Sequence, residues 1–90
     1  MIRKHIIVKG RVQGVGFRYF TQKIAYRFNI KGFVRNTSDG HVEIDAEATE
    51  EDMKNFIKLI SMGNNFSGVE RLEQEIIKEP ENYKYFNIKY

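Results

Sequence analysis

Residues 10–20 read "GRVQGVGFRYF". Two glycines, Gly14 and Gly16, stand two positions apart, and Arg18 follows where the spacing predicts the first turn of a helix. A helix N-terminus already carries partial positive charge and N–H groups without intrahelical partners, so a cation there costs about 0.3–1 kcal/mol unless an anion sits between them. The residue types specify that anion. Gly14 and Gly16 permit the φ angles that aim successive N–H groups inward as a nest, and a guanidinium forks onto two oxygens. A tetrahedral oxyanion such as phosphate satisfies both demands. The plainer alternative is a tight glycine turn with Arg18 pointing into solvent.

Other phosphate fingerprints do not fit. A Walker loop begun at Gly10 needs its second glycine where Val15 stands, and no Lys-Ser/Thr pair follows. A dinucleotide-type G-x-G-x-x-G begun at Gly14 breaks at Tyr19. Asn36 closes the second predicted strand, either as an ordinary turn former or as a polar group facing the loop. His5 and His41 have no acidic or histidine partner at ligand spacing and are expected at the surface. No metal-binding constellation is legible, and the absence of cysteine removes thiolate ligands and disulfides alike.

The elements that position these residues follow from periodicity. In "HIIVKGRV", Ile6, Val8, Gly10 and Val12 share one face of a predicted strand over residues 5–12. From Phe17 the period becomes helical, with Phe17, Phe20, Ile24 and Phe28 as core positions of a helix ending near Asn29. "KGFVRN" predicts a second strand, "TSDG" a hairpin turn, and "HVEIDAEA" a third strand with Val42, Ile44, Ala46 and Ala48 inward. Thr49 reads as an N-cap with Asp52 at the capping-box position. Met53, Phe56, Ile57 and Ile60 form the stripe of a second helix closed at Gly63. "VERLEQEII" is a fourth strand, and beyond Pro80 the segment containing Phe86 and Ile88 is a short edge strand.

This order, βαββαβ with a small strand appended, predicts an α+β ferredoxin-like sandwich. Right-handed crossovers give a four-stranded antiparallel sheet ordered 4-1-3-2 with both helices on one face. Strands one and two then run in the same direction on either side of strand three. The loop from Gln13 to Arg18 and the turn after Asn36 emerge at one end of the sheet, about 10 Å apart. The same arrangement is expected to set Glu43, Asp45 and Glu47 against Lys9 and Arg11 as surface pairs.

Composition bounds the function classes. Ninety residues, 41% hydrophobic and 13% aromatic, suit one domain over residues 1–90. The longest apolar run near the start, "IIV", fits neither a secretory core nor a membrane span, and the lack of cysteine suits a reducing compartment. A cytoplasmic protein without a membrane partner is expected. The net charge of +3 is scattered, which supports a small anionic ligand better than a nucleic acid.

With "GRVQGVGFR" and "GFVRNTSDGHVEI", the chain resembles the acylphosphatase family, small enzymes that hydrolyse the carboxyl-phosphate bond of acyl phosphates. The resemblance implies that the loop Gln13, Gly14, Val15, Gly16, Phe17 and Arg18 binds the phosphoryl group, with Arg18 catalytic, and that Asn36 positions the attacking water. It further implies a metal-free monomeric enzyme, with no cofactor expected; from the cradle itself, inorganic phosphate is expected to bind as product and inhibitor. The chain departs from the family pattern at Ala48, commonly glycine, and in "MGNNFSG", which lacks a proline often found after the second helix. Two rivals share the element order or the loop. An RNA-binding module would use the open sheet face, where Glu43, Asp45 and Glu47 would repel a phosphate backbone. A noncatalytic anion sensor would use the same cradle without turnover.

Overall fold

Alternate residues of the inner strands, Ile6, Val8, Val34, Val42 and Ile44 among them, are fully buried and form the inner face of the sheet. In the computed structural model, which describes residues 1–90, the chain runs β1 (Ile2–Arg11), α1 (Phe17–Arg27), β2 (Lys31–Asn36), β3 (Val42–Ala48), α2 (Glu50–Met62), β4 (Gly68–Ile76) and β5 (Phe86–Lys89). The sheet order is β4-β1-β3-β2-β5, the ferredoxin-like arrangement with one strand added beside β2. Three of the pairings are antiparallel, and β5 runs parallel to β2, with Gly32 opposite Phe86 and Val34 opposite Ile88. β1 begins earlier than the alternation from His5 suggests, because Ile2 pairs with Ala48 and packs on the core.

Both helices press on the same face. Phe17 and Ala25 from α1, and Met53, Phe56 and Ile60 from α2, join Ile6, Val8, Val34, Val42 and Ile44 in one buried cluster. The α1 stripe is turned slightly from the expected one. Phe17, Thr21 and Ala25, at i, i+4 spacing, face the sheet, while Phe20, Ile24 and Phe28 flank them half-buried. The small Thr21 and Ala25 let the helix approach, and the larger residues close its sides. α2 starts as expected, the Thr49 hydroxyl accepting from Asp52 N–H at 3.1 Å, a cap worth about 1 kcal/mol. It stops at Gly63, whose φ of 73° suits glycine.

The opposite face departs from expectation. The acids of β3 do not face Lys9 and Arg11: the buried pairs Ile6–Ile44 and Val8–Val42 set a register that places Arg3 opposite Glu47, His5 opposite Asp45 and Ile7 opposite Glu43. Arg3 grips Asp45 through Nε at 2.8 Å and Nη2 at 2.9 Å. His5 Nε2 lies 2.6 Å from Glu43, which also accepts from Arg35, so His5 has the acidic partner its sequence context did not reveal.

Asp45 and Glu47, expected at the surface, are each only 6% exposed. Residues 77–85, which link β4 to β5, cross over them as a strap. The backbone N–H groups of Glu81, Asn82 and Tyr83 donate to the Glu47 carboxylate at 2.6, 3.2 and 2.8 Å, and Arg3 Nη1 donates to Glu79 O at 2.9 Å. Burial pushes the Glu47 carboxyl pKa up, but the three N–H donors outweigh it and hold the group below its ordinary value. The face that an RNA-binding sheet would present is therefore partly covered by the chain itself.

Candidate active site

The site lies where β1 and β2 leave the sheet. Val8 and Asn36 both stand opposite Val42, so the two strands flank β3 in the same direction and end on one side of the molecule. Two strand spacings separate them, about 10 Å.

Between β1 and α1 the backbone turns through Gly14 (φ 73°) and Gly16 (φ 74°, ψ 19°), both left-handed. A Cβ on Gly14 would meet nothing within 4 Å, and one on Gly16 only Asn64 Nδ2 at 3.9 Å, so conformation and not crowding calls for glycine. Gly16 is the N-cap of α1, without a side-chain cap, and the first turn holds no acidic residue. The first helical bond runs from Phe20 N–H to Gly16 O at 3.0 Å, leaving the N–H groups before it without an intrahelical acceptor. An Asp or Ser at the N-cap would fill this end with the protein's own oxygen. Glycine leaves it open to an oxygen from elsewhere.

Arg18 sits half-buried in that first turn. Its Nη1 donates to Lys89 O at 3.1 Å, and its Cζ lies 4.7 Å from the centre of the Tyr90 ring. These contacts hold the guanidinium while using one of its five N–H donors. Arg3 and Arg35 are each paired with a carboxylate, whereas Arg18 is not. Asn36, the last residue of β2, is half-buried, and its Oδ1 is buried without a donor. An unsatisfied buried carbonyl of this kind costs about 1–3 kcal/mol.

Gly14, Gly16, Phe17, Arg18 and Asn36 line one hollow of about 200 Å³. The structure thus brings Arg18 and Asn36 to the same cavity, with the Phe17 ring belonging to the core beneath. Gln13 and Val15 are placed differently. Gln13 Nε2 donates to Thr37 O at 2.8 Å and His41 O at 2.7 Å, and Val15 O accepts from Asn64 Nδ2 at 2.8 Å while its side chain packs on the core. Val12 lines the hollow as well, and Tyr19, Ile88 and Tyr90, which the sequence pattern did not single out for the site, complete its wall. The last two arrive there because β5 lies beside β2, a pairing no local pattern announces.

Two larger hollows lie elsewhere, of about 390 and 710 Å³. The first is bordered by Arg3 and Glu47, whose charges are already met by Asp45 and the strap. The second is a groove between α2 and the β4 edge in which Lys4 and Lys54 stand among Glu50 and Glu51. Lys31 and Lys78 also border the first, but neither hollow combines an uncapped helix N-terminus with an orphaned buried oxygen, as the Arg18 hollow does. No group of three or more His, Cys, Asp or Glu side chains converges anywhere in the chain, and no helix is long and apolar enough to cross a membrane.

Fold and site together define an α+β sandwich of the ferredoxin-like class whose first strand-to-helix loop presents a cationic hollow rich in unpaired donors. The chain belongs to the acylphosphatase family, whose model matches residues 4–88. It is 50% identical to an acylphosphatase of Bacillus licheniformis over 90 residues, covering 100% of both chains. The crystal structure of acylphosphatase from Bacillus subtilis is similar with a TM-score of 0.97 at 41% identity, covering 100% of both chains. An acylphosphatase structure from Coxiella burnetii gives 0.92 at 30% identity, covering 98% of this chain and 92% of that one.

Proposed function

We propose that the protein is an acylphosphatase, which hydrolyses the carboxyl-phosphate bond of an acyl phosphate to a carboxylate and inorganic phosphate. One observation carries this reading: the open N-terminus of α1, the unpaired donors of Arg18 and the orphaned Oδ1 of Asn36 meet at a single cavity. The N–H groups of residues 14–18 and the Arg18 guanidinium hold the three nonbridging oxygens of the phosphoryl group. Asn36 Oδ1 accepts a hydrogen bond from a water and aims its oxygen in line with the leaving group. The water oxygen bonds to phosphorus as the bond to the acyl oxygen breaks, and the electron pair departs on the carboxylate. A carboxylate leaves without a proton, so the absence of a general acid costs little. The phosphoryl oxygens take the water's proton, because a neutral amide orients the nucleophile without deprotonating it. Positioning and charge stabilisation supply the rate, as phosphoryl transfer requires.

In this reading residues 1–90 act as one acylphosphatase domain, a cytoplasmic monomer that uses no cofactor or metal. Its partners are a small acyl phosphate and the product phosphate, which competes for the cradle; neither a membrane nor a nucleic acid takes part. The test is hydrolysis of benzoyl phosphate with a chelator present. Sustained turnover is expected. Activity that disappears with chelator and returns with magnesium overturns the metal-free chemistry. Phosphate binding without any turnover, with or without metal, overturns the enzyme in favour of an anion sensor.

A further inference from the structure

We propose that Gln13 is a positioning residue that keeps the phosphoryl cradle and Asn36 in register, acting through the β2–β3 turn and not by touching the phosphoryl group. The inference rests on the acylphosphatase reading above. Gln13 immediately precedes Gly14, the first left-handed glycine of the loop, and Thr37 immediately follows Asn36. The Gln13 side-chain nitrogen has two N–H groups, and each is spent on a carbonyl at one side of the turn: Thr37 O at 2.8 Å and His41 O at 2.7 Å. The turn is itself closed by Thr37 N–H to His41 O at 2.9 Å. One amide therefore links the entrance of the cradle to both legs of the hairpin that carries Asn36. Because that nitrogen is saturated, its side chain has no donor left for a phosphoryl oxygen.

The need for such a link follows from the chemistry. The cradle hangs on two glycines, and Asn36 stands on a different strand. In-line attack requires the water oxygen and phosphorus within about 3–3.5 Å and aligned, and a misplacement of about 1 Å costs on the order of 10²-fold in rate. The cradle holds the phosphorus and Asn36 holds the water, so the distance between the two holders is what Gln13 sets. Its loss leaves phosphate binding intact and misaligns the nucleophile.

The test is a kinetic cycle with benzoyl phosphate on wild type, Gln13→Met, Asn36→Ala and the double variant, with the inhibition constant of inorganic phosphate measured on each. Methionine keeps the length of the side chain and removes both donors. Gln13→Met is expected to lose about 10–100-fold in kcat while phosphate inhibition stays within about threefold of wild type. In the Asn36→Ala background the same substitution is expected to cost little further, because the residue it positions is gone. Should Gln13→Met fail to fold, the nearly isosteric Gln13→Glu is read in the same cycle by its kcat alone. Equal kcat losses in both backgrounds, or weakened phosphate inhibition in Gln13→Met, overturn the positioning role, as does a wild-type kcat in the single variant. An inactive wild-type protein overturns the acylphosphatase reading itself, an outcome distinct from an active wild type with an additive cycle.

Discussion

Strand β3 runs between two polar regions that are built in opposite ways. Near its end, Asp45 and Glu47 are almost wholly buried, and the carboxylate oxygens of each are met: both Asp45 oxygens by Arg3, and the Glu47 pair by three backbone N–H groups of the strap. Near its beginning, the first turn of α1 has no cap, Arg18 has no carboxylate and Asn36 Oδ1 has no donor. Buried polar groups are ordinarily paired, since each orphan costs about 1–3 kcal/mol. A region that meets the rule is architecture. A region that breaks it at Asn36, beside an uncapped helix start and a guanidinium without a carboxylate, is where a ligand is expected to supply the missing partners.

The contrast breaks most visibly at Arg18. Arg18→Gln is expected to lower kcat/KM by at least about 10³-fold and to weaken phosphate inhibition, because it withdraws charge-assisted bonds made both before and during transfer. Steady-state kinetics beside a thermal melt checks this, the melt staying near wild type. Next in size is Asn36→Ala, expected to cut kcat by about 10²-fold with phosphate affinity unchanged. The same substitution removes a buried unpaired oxygen, so it is expected to leave stability equal or raise it slightly, a sign opposite to that of ordinary truncations.

Phosphate itself is expected to act on the unpaired region alone. At a hundredfold excess over its dissociation constant it is expected to stabilise the wild-type fold by about 2.7 kcal/mol, read as a raised melting temperature, and to do much less for Arg18→Gln. The smallest effect on function comes from the satisfied region. Glu47→Gln is expected to cost about 1–3 kcal/mol of stability, by denaturant titration, while kcat and KM stay at wild type. Its pH signature follows from the lowered pKa of Glu47 in the folded protein. That contribution is fully present above the unfolded carboxyl value, about 4.3, and is lost as pH falls through the lower folded value. Acid unfolding of Glu47→Gln is expected to show a correspondingly shallower loss of stability below about pH 4.3.

The same two regions differ in how far they can be read from the sequence. The cradle is local: Gly14, Gly16 and Arg18 lie within five residues, and the change from period two to helical period marks the strand-to-helix junction. Asn36 joins it through a topology that the element order and crossover handedness dictate. The strap is not local. Nothing near Glu47 signals that the N–H groups of residues 81–83 will reach it, and a strand pattern leaves register free until the buried pairs Ile6–Ile44 and Val8–Val42 are matched. The same limit hid the contact of Lys89 and Tyr90 with Arg18, and the donation from Asn64, in the segment that departs from the family pattern, to Val15. Gln13 sits inside the motif, yet only the fold shows its amide committed to the hairpin.

The unpaired region is expected to receive the phosphoryl group and the paired region is not. A titration of the ¹⁵N-labelled protein with inorganic phosphate, followed by amide ¹H–¹⁵N correlation spectra, addresses both regions at once. The amides of Gly14 to Arg18 and the side-chain resonances of Arg18 are predicted to shift in a saturable way, while those of Glu81, Asn82 and Tyr83, already bonded to Glu47, stay in place. Saturable shifts centred on the strap, or none at the loop when phosphate is saturating, would contradict that expectation.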